Sequence, residues 1–193
     1  MATIGLSKPF YAVYANTGTT VSYSNGGVLG KAVELSMELE DSEGNVFYAD
    51  NGPAENETSF AGGTLTITTD DLYDEPAATV LGLQILEIST PETASEVVYN
   101  DQQNAPYVGF GAIVKKKQNG AYKYMGVVFP KVQFRNPGLT AVTQGEEIEW
   151  QTPELSAAIL RSDDEQHSWQ RHALFSTEAN AEAYIKKLLN ITA

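Results

Sequence analysis

The sequence predicts a mainly β protein, an antiparallel β-sandwich or barrel-like fold with one short helix mid-chain and one at the C-terminus. Three observations carry this. First, apolar and polar residues alternate in short segments. In Lys31–Glu40, Val33, Leu35, Met37 and Leu39 oppose Glu34, Ser36, Glu38 and Glu40, and a period of two puts the two sets on opposite faces of a sheet. Gly145–Gln151 repeats the pattern, with Ile148 and Trp150 against Glu147, Glu149 and Gln151. Second, turn chemistry separates these segments. Third, few stretches show helical spacing.

Taken in order, Phe10–Tyr14 and Thr19–Tyr23 flank Asn16-Thr-Gly18 and read as a hairpin. Ser24-Asn-Gly-Gly27 reads as a second turn before the Lys31–Glu40 strand. Residues 41–63 read as a long loop rich in Gly, Asn and acid, with Val46, Phe47 and Tyr48 as an apolar island. Loops of that length inside a compact domain tend to be functional or disordered, and the island argues against full disorder. Thr64–Thr69 alternates as a strand should. A turn at Asp70–Asp74 precedes a short helix that Gly82 stops, with Pro76 tolerated in the first turn. Tyr73, Ala77, Val80 and Leu81 are expected to share its buried face.

Leu83–Ser89 is an apolar strand. Val108–Lys117 and Ala121–Phe134 form a hairpin across Gln118-Asn-Gly120, Asn-Gly being a favoured turn pair. Glu146–Gln151, Ser156–Leu160 and Gln166–Phe175 are further strands. Ser176 or Thr177 caps a final helix with the stripe Ala181, Tyr184, Ile185, Leu188 and Leu189. Glu178 and Glu182 lead it and Lys186 and Lys187 trail, matching the helix dipole. That stripe needs a sheet to pack on.

The 193 residues suit one domain. With no cysteine, the chain has no disulfide, thiolate metal site or cysteine nucleophile. Its 12 basic and 25 acidic residues leave a net charge of −13, which argues against general nucleic-acid binding and against docking on anionic lipid. No segment has the apolar length of a membrane span. The N-terminus lacks the pattern of a signal peptide, so the sequons at Asn56 and Asn190 read as chance matches.

Catalytic chemistry is sparse. His167 and His172 lie near Asp163, Asp164 and Glu165. Their spacing of five puts the two imidazoles on opposite strand faces, so they read as solvated rather than as an acid–base pair. Asp41-x-Glu43-x-Asn45 lacks the glycine position and closing Glu of a calcium loop. Lys115-Lys-Lys117 reads as a solvated hairpin end that discourages edge pairing, or as a docking point for an acidic partner. Gly109 and Gly111, flanking Phe110, point to close backbone approach or a bulge. No catalysis, metal or cofactor is expected.

The chain resembles the major tail tube protein family of long-tailed phages and prophages of Gram-positive bacteria. The stretches that carry the resemblance are Ile4-Gly-Leu-Ser-Lys-Pro-Phe-Tyr-Ala-Val-Tyr14, Gly30-Lys-Ala-Val-Glu-Leu35, Tyr48-Ala-Asp-Asn51 and Gly63-Thr-Leu-Thr-Ile-Thr-Thr-Asp-Asp-Leu72. Ala105-Pro-Tyr-Val-Gly-Phe-Gly111, Lys131-Val-Gln-Phe134 and Gly145-Glu-Glu-Ile-Glu-Trp-Gln-Thr-Pro153 complete the ordered set. The resemblance implies a virion structural protein that forms hexameric rings. Rings stack into a tail tube, assembled in the host bacterial cytoplasm, through which viral DNA passes without specific binding. It implies tape measure, tail terminator and distal tail proteins as partners, and a non-contractile tail. Some members of the family carry a further immunoglobulin-like domain, which is not expected here.

Joined to the charge pattern, the resemblance makes Glu34, Ser36, Glu38, Thr64, Thr66, Thr68, Glu147 and Glu149 candidate lumen residues. A negative wall repels the DNA backbone, whereas a basic wall holds it. The segment around Val46, Phe47, Tyr48, Asp50 and Asn51 is the candidate inter-subunit loop. The rival reading is a β-sandwich binding module, of adhesin or carbohydrate-binding type, with Tyr48, Tyr99 and Tyr107 as a platform.

Overall fold

The computed structural model describes residues 2–41, 45–49, 52–57, 59–143 and 151–192. The fold is mainly β, antiparallel and sandwich-like, with two helices. Strands β1 (Ala2–Thr17) and β2 (Thr20–Val28) form the first hairpin, turning at Gly18. Strand β3 (Ala32–Asp41) precedes a small hairpin, β4 (Asn45–Ala49) with β5 (Gly52–Glu57), and then β6 (Phe60–Thr69). Helix α1 (Asp74–Leu81) carries Pro76 in its first turn and ends at Gly82, whose φ of 68° is left-handed.

A second small hairpin follows, β7 (Gln84–Ile88) with β8 (Ala94–Val98). Strands β9 (Tyr107–Gln118) and β10 (Ala121–Phe134) turn at Asn119-Gly120, both at positive φ as the tight hairpin turn requires. Strand β11 (Glu154–Ile159), β12 (Arg171–Phe175) and helix α2 (Glu178–Leu188) complete the chain. Thr177 caps α2, its Oγ1 accepting the Asn180 N–H at 3.3 Å.

The main sheet runs β2-β1-β9-β10-β11-β6-β3, with β12 also on β10. Two strands share one edge of β10 because its ladder is interrupted. Residues Tyr124–Val128 pair with β12, Val132–Phe134 pair with β11, and the register shifts between Phe129 and Val132, around Pro130. Proline cannot donate to the ladder, so it belongs at such a break.

The sheet's inner face holds the main core. Tyr11, Phe110, Phe129 and Phe134 from its middle meet Leu65, Ile67, Leu155 and Ile159 from β6 and β11, with Val80 and Leu81 of α1. Each such side chain contributes about 1.5–3 kcal/mol on burial. Leu6, Leu35, Val114 and Met125 pack against the same cluster. On the outer face, α2 covers β1, β9 and β10, burying Ala181, Ile185 and Leu189 against Phe10, Ala12, Ile113 and Val128. The glycines make room for it. A Cβ at Gly109 would meet Leu189 Cδ2 at 2.5 Å, and one at Gly111 would meet Ile185 Cγ2 at 2.6 Å. Close approach is therefore their role, as their spacing suggests.

Several expectations change. Ser24–Gly27 lies inside β2 and is not a turn. Asn25 takes a positive φ of 49°, and Gly26 lets the strand pass Ile191 and Tyr11, where a Cβ would be crowded. Residues 41–63 are not one loop, since β3 reaches Asp41, β6 starts at Phe60 and β4 and β5 lie between. Val46, Phe47 and Tyr48 supply the strand-forming residues of that hairpin. Lys115–Lys117 is not at an edge, because β9 pairs with both β1 and β10 there. Tyr73 precedes α1 from an exposed position, without a side-chain cap hydrogen bond, and leaves the buried face to Ala77, Val80 and Leu81. The last strand begins at Arg171 rather than Gln166. Strand β8 and the N-terminal reach of β1 carry weak alternation and went unpredicted. The predicted strand Glu146–Gln151 falls largely outside the described residues, and Gln151 itself is not in a strand.

Candidate functional surface

The β3–β6–β11 half of the sheet has an outer face that no helix packs on among the described residues. Register determines what stands there. Glu34, Thr68 and Glu154 form one row across the three strands, Ser36, Thr66 and Ser156 the next, and Glu38, Thr64 and Ala158 the third. Six of the predicted residues, Glu34, Ser36, Glu38, Thr64, Thr66 and Thr68, therefore share one polar face. Glu147 and Glu149 lie outside the described residues, as do Asp50 and Asn51. Glu154 joins the face although its short strand shows no acidic alternation.

The opposite face departs from expectation. Leu35 is half-buried, but Val33, Met37 and Leu39 are 55%, 37% and 41% exposed. β3 is the last strand of the sheet, so its apolar side runs past the core it was expected to build. A register shift between Ala32 and Glu34 also puts Val33 out of phase. An exposed edge strand with an apolar side is an assembly surface or a liability.

Beside the polar face lies a cleft of about 570 Å³, lined by Glu40, Phe60, Tyr107, Lys131, Arg135 and Arg161 among others. Gln133 stands opposite Ala158, and Lys131 and Arg135 lie two residues to either side of it, so alternation puts all three on the outer face. Lys131 also sits over the Tyr107 ring at 4.7 Å. Among the described residues, the side chains of Arg135 and Arg161 make no ion pair or hydrogen bond. Three cations meeting at one concavity in so acidic a chain were not legible in the sequence, where they are separated by unrelated residues.

The acids near the histidines have other partners. Tyr14 Oη donates to Asp163 Oδ2 at 2.8 Å, and Lys131 Nζ reaches the same oxygen at 2.7 Å. Lys131, then Tyr14, hold the Asp163 carboxyl below the usual carboxylate range. Burial pushes Asp164 up, but Ser168 and Arg171 outweigh it and leave that carboxyl lowered too. These bonds pin the segment 160–170 to β1, β10 and β12. His167 sits in a positive-φ turn, its ring Nδ1 3.4 Å from the Ser162 carbonyl and its backbone N–H donating to the Asp164 carbonyl at 2.9 Å, while His172 is an exposed β12 residue. No histidine–carboxylate pair forms among the described residues.

Of the rival platform, Tyr99 follows β8 and Tyr107 begins β9, both exposed, and the Tyr48 side chain lies outside the described residues. No helix among the described residues is long and apolar enough to cross a membrane, and none of their acids and histidines group as a metal site. No family model matches the sequence, and no curated protein matches it significantly.

Proposed function

We propose that the chain is a structural subunit that self-assembles into stacked hexameric rings, a tail tube through which DNA passes. One observation supports this above the others. A continuous acid-and-hydroxyl face, Glu34 to Glu154 across β3, β6 and β11, backs onto an edge strand whose apolar side is exposed. A continuous polar face suits a channel wall, and an unfinished apolar edge suits a neighbouring copy. The wall works by repulsion. Six copies multiply its carboxylates, so phosphates slide past without finding counter-charges to displace. The β4–β5 hairpin, which lies between β3 and β6 in the chain, serves as the inter-subunit element. Tape measure, terminator and distal tail proteins are the partners this reading entails.

Negative-stain microscopy of the purified chain tests it. Rings or tubes are expected at high concentration, or on addition of a tail-tip initiator. Removal of residues 45–57 should leave a folded monomer unable to form them. Normal tubes from that deletion, or tubes that carry Glu34 on their outer surface, would defeat the reading.

A further inference from the structure

The β7–β8 hairpin is an arm that joins no larger sheet and, among the described elements, packs on α1. Its two strands pair only with each other, and two-stranded hairpins are marginal in water unless something covers them. Leu86, Ile88 and Val98 share one of its faces with Ala94 and Glu96, and Leu86 and Ile88 are exposed. From Gln84 to Tyr99 the arm holds Glu87, Glu92 and Glu96 and no cation. The cleft has the opposite character. It joins the guanidinium groups of Arg135, which makes no ion pair among the described residues, and of Arg161, which acts on Asp163 only at longer range, to the apolar wall of Phe60 and the ring of Tyr107, with Glu40 also in the lining.

We propose that the cleft receives the β7–β8 arm of a second copy of this chain. Glu96 and Glu92 meet Arg135 and Arg161, and Leu86 and Ile88 lie on Phe60. Planar guanidinium groups suit such carboxylates, which they bind in a bidentate fork. Arm and cleft are different surfaces, so the contact is heterologous: each copy gives an arm and receives one, and the chain of contacts closes into a ring or runs on as a fibre. The docked arm also covers the cations that border the acidic face. This rests on the self-assembly reading and names the surfaces that would perform it.

Charge reversal tests it in the full chain. Glu92→Lys with Glu96→Lys reverses the arm, and Arg135→Glu with Arg161→Glu reverses the cleft. Each reversed protein alone should lose all multimers in sedimentation velocity while keeping the wild-type circular dichroism. An equimolar mixture of the two should recover them, because every arm then finds an opposite cleft. Because the chain has no cysteine, Glu96→Cys with Arg135→Cys gives a second readout. Oxidation should produce a ladder of covalent multimers, where each single variant stops at dimer. Wild-type assembly that both reversals leave intact, or loss that mixing does not rescue, overturns the docking. A ladder without rings or tubes upholds the docking and sinks the tube reading. Monomers with no ladder overturn both.

Discussion

The two halves of the main sheet solve the same problem differently. In the β1–β9–β10 half both faces are covered, with the aromatic core on one side and α2 on the other. Its outward positions are small or apolar, as Gly109, Gly111 and Gly126 beneath α2 show. In the β3–β6–β11 half only the inner face is covered, and the outward rows are Glu, Thr and Ser. The first half holds the fold together. The second offers a finished polar surface and an unfinished apolar edge.

Mutations should separate the halves. The largest loss is expected in the covered half. Ile185→Ala removes a fully buried side chain from beneath α2 and should cost about 2–5 kcal/mol, read as a lower denaturant midpoint. Gly111→Ala forces a Cβ towards Ile185 and the Val127 carbonyl and should cost about 1–3 kcal/mol. If both variants unfold like the wild type, α2 does not secure this half.

Acid should come next. Asp163 and Asp164 titrate below their ordinary value in the folded protein, so their contribution is present above the unfolded carboxylate value of about 3.9 and is lost as pH falls through the lowered values. Stability should therefore fall on acidification below about pH 4. Asp163→Asn with Asp164→Asn should flatten that part of the profile, and an unchanged slope would show that the network contributes nothing.

The smallest stability change is expected on the open half. Thr66→Ala or Glu38→Gln should move stability by no more than about 0.5 kcal/mol. Glu34→Lys with Glu38→Lys should likewise leave the melt intact and, if the proposed tube reading holds, give tubes that retain DNA at low salt and release it as salt rises. Tubes indifferent to this reversal would mean that these carboxylates do not face the channel.

Much of the candidate face was legible because a period of two sorts side chains without knowledge of the partner strand. Glu34 and Glu38 needed only their neighbours in sequence. Glu154, Arg135 and Arg161 needed the β6–β11 and β10–β11 registers, which no local pattern encodes. Leu83–Ser89 reads as an apolar strand, and the strand forms, but hydrophobicity reports the residues and not what will cover them, and β7 is exposed.

By itself, then, the sequence determined what short-range sterics and hydrogen bonds decide. These are the Asn119-Gly120 turn, the Thr177 cap, the Gly82 stop and the division of β3 into an acidic and an apolar face. Only the tertiary structure decided which faces stay open, that three distant cations share one cleft, and that an apolar hairpin is left as an arm. Those depend on which layers meet, and layers are brought together by non-directional burial of apolar surface summed over the whole chain, not by any single segment.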